Sequence, residues 1–258
     1  MAKTALVTGA SGGIGKSIAE QFAKDGVHLI LAARSLDRLE AIAAGWQAKY
    51  GVVVTPLQSD LSQTDGAQKL FDAVVARGLR IDYLVNNAGV GVFGLFRTAR
   101  LDEIVSMLTL NMVSLTVLTK LFLDQIVAAR GKIMNVASMA AFVPGPFMAN
   151  YFATKAYVLS FSEALEYELR GTGVTVTTLC PGVTQSGFFD SAHMNESGLV
   201  KNFKLPTADE VAQAGYRAMQ RGRGVYVAGL LNRLVVFGVR FVPRGLVTRI
   251  SAAVSAPK

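Results

Sequence analysis

The amino-acid sequence predicts an α/β domain in which one doubly wound parallel sheet of about seven strands lies between two layers of helices. Short β-branched runs alternate with longer helical patterns along the chain, and this alternation is typical of βαβ units. Several of the short runs are continuously apolar, as expected for strands buried on both faces of a sheet. No repeat or linker interrupts the pattern, so we expect residues 1–258 to form a single domain.

The strands are predicted at residues 5–8, 28–34, 52–58, 83–86, 132–137, 174–179 and 225–228. Helical spacing of apolar residues fills the intervals, for example at 14–24, 37–49 and 154–170. In such sheets, ligands bind beyond the carboxyl ends of the strands, near the point where the strand order reverses. We therefore look for functional residues directly after strands.

Composition excludes several classes of protein. Hydrophobic residues make up 51% of the chain and charged residues 17%, which predicts a sizeable core rather than disorder. The single cysteine, Cys180, cannot form an internal disulfide and is expected in the core. We identify no signal peptide and no run of roughly 18 uninterrupted apolar residues, so a cytoplasmic location is expected.

Charge and histidine placement exclude two further kinds of site. The net charge is +8, but the basic residues form no stripe with a recognition element, so we expect no nucleic-acid partner. His28 and His193 have no metal-ligand partners at useful spacing, and we assign no metal site.

The first strand ends in a glycine-rich turn, Thr8-Gly-Ala-Ser-Gly-Gly-Ile-Gly15. Glycine allows positive φ and a close approach of backbone N–H groups to a pyrophosphate, and the helix that follows offers its N-terminus to that anion. Its place between strand and helix predicts a Rossmann-type dinucleotide site. The expected contacts are Gly9, Ser11, Gly13, Ile14 and Gly15.

The end of the second strand predicts which dinucleotide binds. An acidic residue there would bind the adenosine 2′-hydroxyl, whereas an arginine accommodates a 2′-phosphate. Ala33 stands where the acid is expected, and Arg34 and Ser35 follow. A guanidinium can bind phosphate through two hydrogen bonds, and the serine adds a hydroxyl. The sequence therefore predicts NADP(H), the alternative for Arg34 being a solvated strand end.

Tyr151 and Lys155 are spaced for proton transfer. Residues four apart lie side by side on a helix. A free tyrosine has a pKa of about 10, and a nearby ammonium lowers that pKa by favouring the phenolate. The pair therefore predicts a general acid/base.

Taken together, the motifs resemble those of the short-chain dehydrogenase/reductase family over about residues 4–229. The matching residues are Thr8, Gly9, Gly13 and Gly15 of the turn, Asp60, the Asn86-Asn87-Ala88-Gly89 motif, the set Asn111, Ser138, Tyr151 and Lys155, and Pro181, Gly182 and Thr184. We find no departure from the family pattern in the catalytic set.

The resemblance implies hydride transfer between NADP(H) and a carbonyl or alcohol. Tyr151 would exchange a proton with the substrate oxygen, which Ser138 would hydrogen-bond. Lys155 would bind the nicotinamide ribose and tune Tyr151, and Asn111 would hold a water in the proton relay. The further implied cofactor contacts are Asp60, Leu61, Asn87, Ala88, Gly89, Pro181, Gly182, Val183 and Thr184. The resemblance also implies a homodimer or homotetramer, assembled through helices around residues 101–129 and 154–170.

Structural and functional alternatives remain. Ser138 can be a helix-capping or turn serine, Asn111 a buried amide that satisfies backbone groups, and Asp60 a helix N-cap. An epimerase or dehydratase can share Tyr-x-x-x-Lys, although those proteins typically carry an additional substrate domain. A non-catalytic NADP(H) sensor is the other rival, but it would not need Tyr151.

The predicted substrate site is apolar. A substrate loop is expected near residues 184–206, and two other candidate walls surround residues 92–96 and 141–152. The apolar residues concerned are Phe188, Phe189, Met194, Leu199 and Phe203 in the loop and Val92, Phe93, Phe96, Phe142, Val143, Phe147 and Met148 in the walls. They favour a hydrophobic ketone, an acyl chain or a steroid-like substrate, unless they pack the core or a subunit interface.

The segment 230–254 is apolar and basic. Arg233, Arg240, Arg244 and Arg249 interrupt it, and no acidic residue does. Pro243 and Gly245 divide it into two parts, each too short to span a bilayer. Three roles stay open: a helix pair packed on a partner subunit, a peripheral contact with an anionic membrane, or a cover over the substrate pocket.

Overall fold

A computed structural model of the chain describes residues 2–185 and 205–256. In this part of the chain, seven strands form one sheet. They are β1 (Thr4–Thr8), β2 (His28–Ala33), β3 (Val54–Gln58), β4 (Tyr83–Asn86), β5 (Lys132–Val136), β6 (Thr175–Cys180) and β7 (Val225–Val227).

Helices connect the strands. The described residues form α1 (Gly13–Lys24), α2 (Leu36–Tyr50), α3 (Gly66–Val75), α4 (Leu101–Leu108), α5 (Ser114–Ala128), α6 (Ala149–Glu168), α7 (Ala208–Gln220), α8 (Leu230–Val239) and α9 (Arg244–Ser255). A π-helical turn, Thr109–Val113, joins α4 to α5, and short 3-10 turns lie at Phe96–Thr98 and Met139–Phe142.

The sheet confirms the predicted doubly wound, Rossmann-type fold. Its strand order is β3-β2-β1-β4-β5-β6-β7, and every neighbouring pair is parallel, with Val7 opposite Leu31 on one side and Val85 on the other. The order reverses between β1 and β4. The carboxyl ends of these two strands therefore border the crevice in which this fold binds its ligands.

The core lies on both faces of the sheet and accounts for the three layers. On one face, Phe22 of α1 and Met219 of α7 pack against strand residues such as Val7. On the other face, Leu70 of α3 and Phe122 of α5 do the same. These side chains are almost fully buried, and their removal from water is the main favourable contribution to folding.

The predicted element boundaries shift by one or two residues at most strands. The strand predicted at 28–34 ends at Ala33, because the Arg34 carbonyl leaves the ladder and accepts a hydrogen bond from Gln58 Nε2 (3.0 Å). The helix predicted at 154–170 begins earlier, at Ala149, and ends at Glu168. The first hydrogen bond of this helix runs from Phe152 N to Met148 O (3.1 Å). The helix cannot begin earlier, because Phe147, the residue before Met148, has a φ of 65°, which is incompatible with a helix.

The continuous helical stretch Leu101–Ala128 is the one part of the described chain that is long and apolar enough to cross a membrane, by length and composition alone. However, 44% of its most apolar window is buried inside the protein. Leu118, Phe122 and Ile126 of this stretch pack against the sheet. The stretch Leu101–Ala128 is therefore interpreted as part of the protein core, which explains its apolar composition.

Candidate active site

The glycine-rich turn forms a backbone cradle between β1 and α1. Gly9 has a φ of 66°, and a Cβ on it would lie 2.7 Å from Asn87 Nδ2. A Cβ on Gly15 would overlap both Asn87 Nδ2 and the Gly9 carbonyl. Both positions therefore require glycine. The cradle lies at the N-terminus of α1, where free N–H groups and the helix dipole favour an anion, so the residues present fit a dinucleotide pyrophosphate.

The carboxyl ends of β1 and β4 are held together by side-chain hydrogen bonds. Thr8 Oγ1 accepts from the backbone N–H groups of Asn87 and Ala88, each at 3.0 Å. Asn87 Nδ2 donates in return to Thr8 O (2.9 Å) and Gly9 O (3.3 Å). Asn87 and Ala88 thus hold the ends of β1 and β4 together where the crevice lies between the two strands.

Arg34 and Ser35 lie exposed at the carboxyl end of β2, on the same edge of the sheet as the glycine turn. Arg34 forms no ion pair with any residue in the described ranges. Its positive charge is one of the smaller influences that lower the pKa of Asp60. The guanidinium is therefore available to an external anion.

Asp60 follows β3 and folds the turn that contains Leu61. Asp60 Oδ1 accepts hydrogen bonds from the Ser62 hydroxyl (2.6 Å) and the Ser62 N–H (3.0 Å). These bonds are the main reason that the pKa of Asp60 lies below its ordinary value. Asp60 is not a helix N-cap, because α3 begins only at Gly66; the alternative drawn from the sequence is wrong in that respect.

Tyr151 and Ser138 meet at the carboxyl end of β5. Ser138 opens the 3-10 turn after this strand, and its Oγ accepts from Ala140 N (3.1 Å). It is a capping serine, as one alternative held, but it also hydrogen-bonds Tyr151. Burial raises the pKa of Tyr151 to about 12, and the bond to Ser138 opposes that rise.

Lys155 lies one helical turn after Tyr151, on the same face of α6. Its Nζ donates to Val136 O (2.9 Å) and stands 5.7 Å from the centroid of the Tyr151 ring. Burial lowers the pKa of Lys155 to about 8. Burial is the largest influence on the pKa of both side chains and moves the two values in opposite directions, and the lowering of the pKa of Tyr151 by this ammonium stays a prediction.

Asn111 lies in the π-helical turn between α4 and α5, a feature that is frequent at functional sites. Its Oδ1 accepts from Val90 N (3.0 Å), and its Nδ2 donates to Val90 O (2.9 Å) and Thr154 Oγ1 (3.1 Å). Thr154 in turn donates to Tyr151 O (2.7 Å). Asn111 is thus the buried, backbone-satisfying amide of one alternative. It is also linked through Thr154, a residue that the sequence did not single out, to the helix turn that carries Tyr151.

Gly89 completes this group of residues. A Cβ at this position would lie 3.2 Å from Asn111 Oδ1 and 3.3 Å from Lys155 Nζ. The backbone of the fourth-strand motif therefore lies against Asn111 and Lys155 at Gly89 and against the glycine turn at Asn87. The four predicted catalytic residues and the glycine turn consequently belong to one edge of the sheet.

The turn after β6 closes the crevice on the far side. Thr184 is buried and its Oγ1 donates to Gly182 O (2.9 Å), while Pro181 O accepts from Met139 N (2.8 Å) beside Ser138. Val183 lies between them at intermediate exposure. Pro181 thus lies directly beside the turn that Ser138 opens, and Gly182, Val183 and Thr184 follow it.

The predicted substrate loop, 184–206, lies mostly outside the described residues. Phe188, Phe189, Met194, Leu199 and Phe203 all fall there. Its two ends are described, and they lie side by side: Gln185 N donates to Pro206 O (2.9 Å), and Gln185 forms a parallel bridge with Thr207.

An apolar cleft of about 240 Å³ lies next to the start of α6, with Met148, Ala149 and Asn150 in its wall; Tyr151 itself does not line it. Val92, Phe96, Phe147 and Met148 contribute to its walls, so the two predicted wall segments do meet. Met148 also packs against Tyr151, so this side chain lies between the cleft and Tyr151. Phe142 does not face this cleft; it packs with Ala137, Val158 and Cys180 in a core cluster.

Phe147 has a left-handed backbone, with a φ of 65°. This conformation is strained for a bulky residue, and such strain clusters at functional sites. A hydrogen bond from Gly94 N to Phe147 O (2.8 Å) holds it, with the Phe93 and Phe147 rings 6.4 Å apart. The Phe147 ring is thereby fixed in the wall of the cleft. No local pattern in the sequence predicts this left-handed conformation.

A buried polar network fixes α6 against the sheet. Asn86 Nδ2 donates to Asn135 Oδ1 (2.9 Å) and Thr119 Oγ1 (3.0 Å), and Asn135 Nδ2 donates to Ser162 Oγ (2.9 Å). Asn135 and Ser162 are almost fully buried. These bonds link β4 and β5 to the helix that carries Tyr151 and Lys155, and sequence reasoning missed them.

Comparison with known proteins agrees with this geometry. A family model described as short chain dehydrogenase matches residues 3–197. The chain is 32% identical to the NADP-dependent 3-hydroxy acid dehydrogenase of Schizosaccharomyces pombe, over 89% of this chain and 91% of that protein.

Two solved structures are similar over nearly the whole chain. A short-chain dehydrogenase from Sphingobium yanoikuyae in complex with NADPH is 33% identical, with a TM-score of 0.83 over 95% of this chain and 94% of that one. A short chain dehydrogenase/reductase from Burkholderia phymatum in complex with NAD is 27% identical, with a TM-score of 0.81 over 92% of each chain.

Proposed function

The chain belongs to the short-chain dehydrogenase family of pyridine-nucleotide oxidoreductases, and on that premise we propose that it is an NADP(H)-dependent enzyme that interconverts an apolar carbonyl compound and its alcohol. One observation carries the proposal. Tyr151, Ser138, Lys155 and Asn111 belong to the same sheet edge as the glycine cradle, and Met148, which packs against Tyr151, lines an apolar cleft. We take residues 1–258 to act as one domain.

Each residue has a distinct part in the proposed reaction. NADP(H), when bound, supplies or accepts the hydride. Tyr151 donates its phenolic proton to the substrate oxygen during reduction and removes it during oxidation. Ser138, already hydrogen-bonded to Tyr151, stabilises the negative charge that develops on the same oxygen. Lys155 holds its ammonium beside the Tyr151 ring through its hydrogen bond to Val136 O, and Asn111 ties the loop at Val90 to α6 through Thr154.

The cofactor would lie along the carboxyl edge of the sheet. The glycine cradle would take the pyrophosphate and Asp60 with Leu61 would border the adenine. The other residues proposed to hold the cofactor are Ser11, Ile14, Asn87, Ala88, Gly89, Tyr151, Lys155, Pro181, Gly182, Val183 and Thr184.

Preference for NADP(H) over NAD(H) rests on the end of β2. Ala33 offers no carboxylate for a ribose 2′-hydroxyl, whereas Arg34 and Ser35 are exposed and available to a 2′-phosphate. The relatives include NADP-dependent and NADPH-bound proteins as well as one solved with NAD. The proposed preference for NADP(H) therefore depends on Ala33, Arg34 and Ser35 of this chain.

An apolar substrate is proposed because the described walls of the cleft carry no charged side chain. Its volume, about 240 Å³, suits a compact hydrophobic group rather than a phosphorylated sugar. We further propose that the enzyme works in the cytoplasm as a homodimer or homotetramer paired through α4–α5 and α6. Exposed Tyr167 and Val105 on these helices are available for such a contact.

A turnover screen tests the proposed function. Purified protein is incubated with NADPH or NADH and a panel of hydrophobic ketones, and cofactor oxidation is followed at its absorbance maximum. We expect turnover with NADPH, and Tyr151→Phe should remove it while leaving the Kd for NADPH within a few fold. Tyr157→Phe, an exposed tyrosine on the same helix, is the matched control. NADPH binding without turnover in the wild type would instead indicate the sensor alternative.

A further inference from the structure

Helix α8 carries an apolar stripe that faces away from the protein. Leu230, Leu234 and Phe237 lie on it, and Phe241 continues it just beyond the helix end, with exposures of 73%, 59%, 58% and 74%. Their spacing of four, three and four residues places them on one face. Large apolar side chains gathered on an outward face are typical of a surface that contacts a partner.

The opposite face of α8 makes the contacts with the body of the protein. Asn232 Nδ2 donates to Ala228 O (2.6 Å), and the Asn232 amide packs on Gly182. In α9, Leu246, Ile250 and Val254 repeat every four residues and are each about half exposed. The two C-terminal helices therefore present apolar side chains to the outside, while Asn232 of α8 and the buried Val247 and Ser255 of α9 face the rest of the protein.

Arginines flank the stripe and surround a concavity of about 230 Å³. Arg217, Arg221, Arg223 and Arg233 line it, and no acidic residue does. Arg233 stacks on Tyr226, 5.0 Å from the ring centroid, and donates to Val227 O (3.0 Å). The other three arginines form no ion pair with any residue that the structure describes. Arginine forks of this kind bind phosphate.

Charge indicates which partner covers this face. From residue 230 onward the sequence contains five basic residues and no acidic one. A two-fold contact of this face with itself would bring one basic rim near another, with no carboxylate in α8 or α9 to oppose it. An anionic lipid surface supplies both complements, phosphates for the arginines and an apolar layer for the stripe.

We propose that α8 and α9 dock this protein on the surface of an anionic phospholipid bilayer. The stripe enters the boundary between headgroups and acyl chains, and the arginine concavity binds lipid phosphates. Helix α8 packs on the 3-10 turn Met139–Phe142, which directly follows Ser138. Docking through α8 therefore brings the end of the sheet that carries Ser138 close to the lipid. An apolar substrate dissolved in the bilayer would then be close to the cleft.

Vesicle flotation tests the proposal with the full, NADPH-loaded chain. We expect the protein to float with vesicles of phosphatidylcholine and phosphatidylserine. It should bind less to phosphatidylcholine alone, and high salt should weaken its binding to the mixed vesicles. Absence of binding to the mixed vesicles at low salt would overturn the proposal.

Paired variants separate the apolar and basic contributions. Phe237→Ser with Phe241→Ser should weaken binding to mixed vesicles by about tenfold or more for each ring. Val53→Ser with Val75→Ser, exposed apolar residues near the opposite edge of the sheet, should leave it unchanged. If the two double variants bind mixed vesicles equally well, the apolar stripe of α8 does not contact the lipid.

Arg217→Gln with Arg221→Gln should weaken binding to the mixed vesicles by about fivefold for each arginine and leave binding to neutral vesicles unchanged. Lys69→Gln with Arg77→Gln makes the same change in net charge on and beside α3 and serves as the control. If this control pair weakens vesicle binding as much as the arginine pair, net charge rather than the concavity is responsible, and the assignment is wrong.

Light scattering and turnover distinguish the remaining outcomes. If Phe237→Ser with Phe241→Ser dissociates an assembly while the wild type ignores vesicles, the face is an interface between copies and the lipid assignment is wrong. All variants should retain wild-type turnover of a soluble ketone. Vesicle binding without any turnover in the wild type would contradict the proposed reaction and leave the docking surface supported.

Discussion

Substitution of Arg34 by aspartate is the sharpest test of cofactor choice. Arg34 is exposed directly after β2, its carbonyl is fixed by Gln58 (3.0 Å), and its guanidinium has no ion-pair partner in the described part of the chain. The residue therefore does little for the fold, and Arg34→Asp should change the cofactor site without unfolding β2.

The expected magnitude follows from the contact that is lost. A hydrogen bond to a charged group contributes about 1.5–3 kcal/mol, which corresponds to about 10- to 150-fold in Kd. The new carboxylate adds repulsion against a 2′-phosphate but can accept a hydrogen bond from a 2′-hydroxyl. Arg34→Asp should therefore weaken NADPH binding by at least about tenfold and leave NADH binding unchanged or improved.

Fluorescence titration of both reduced cofactors measures the two Kd values directly, without any substrate. Arg77→Asp makes the same charge change at an exposed position after α3 and should leave both values unaltered. The reasoning fails if the NADPH Kd of Arg34→Asp stays within about threefold of wild type. It also fails if NADPH and NADH are weakened by the same factor, because the effect would then not concern the 2′-phosphate.

Three further predictions concern the framework of the site. Ser162→Ala should lower the free energy of unfolding by about 1–3 kcal/mol in urea melts, because it leaves the buried Asn135 amide without its acceptor. Gly15→Ala should abolish NADPH binding in the same titration, because the added Cβ overlaps the Gly9 carbonyl. Relative to Lys155→Met, the wild type should gain stability between pH 8 and 10.5, by up to about 3 kcal/mol. Burial lowers the pKa of Lys155, so the unfolded chain holds that proton more tightly across this window and stability rises with pH.

Matched variants serve as controls for these predictions. Ser160→Ala changes an exposed serine on the same helix as Ser162 and should leave urea stability within about 0.5 kcal/mol of wild type. Gly45→Ala adds a Cβ to a helical glycine with open space around it and should leave NADPH binding intact. A Ser162→Ala protein as stable as Ser160→Ala, tight cofactor binding by Gly15→Ala, or a pH-independent stability difference at Lys155 would each contradict the corresponding argument.

Local sequence signals predicted the sheet and the position of the site. Short apolar or β-branched runs marked all seven strands of the described chain, although β3 (Val54–Gln58) and β6 (Thr175–Cys180) also contain polar residues. The glycine turn after β1 and the motif after β4 could then be placed side by side, since strand order reverses between these strands. The spacing of Tyr151 and Lys155 predicted that they share one face of a helix, and Lys155 Nζ lies 5.7 Å from the centroid of the Tyr151 ring.

Features that depend on tertiary contacts could not be predicted in this way. The positive φ of Phe147 requires the distant Gly94 N–H, and the bond between Asn135 and Ser162 joins residues 27 positions apart. Neither leaves a periodic pattern. The segment 230–254 was correctly divided at Pro243 into two helices, but only the structure shows that the apolar stripe of α8 faces outward.

The electrostatics of Tyr151 and Lys155 show how burial alters an argument based on spacing. Side-by-side placement suggests that the ammonium lowers the pKa of the phenol. Yet burial raises the pKa of Tyr151 to about 12 and lowers that of Lys155 to about 8. The phenol therefore keeps its proton throughout the neutral range, which is the form that carbonyl reduction needs. In the proposed oxidation the phenolate removes the proton, and the positive charge of an oxidised nicotinamide would favour that form of Tyr151.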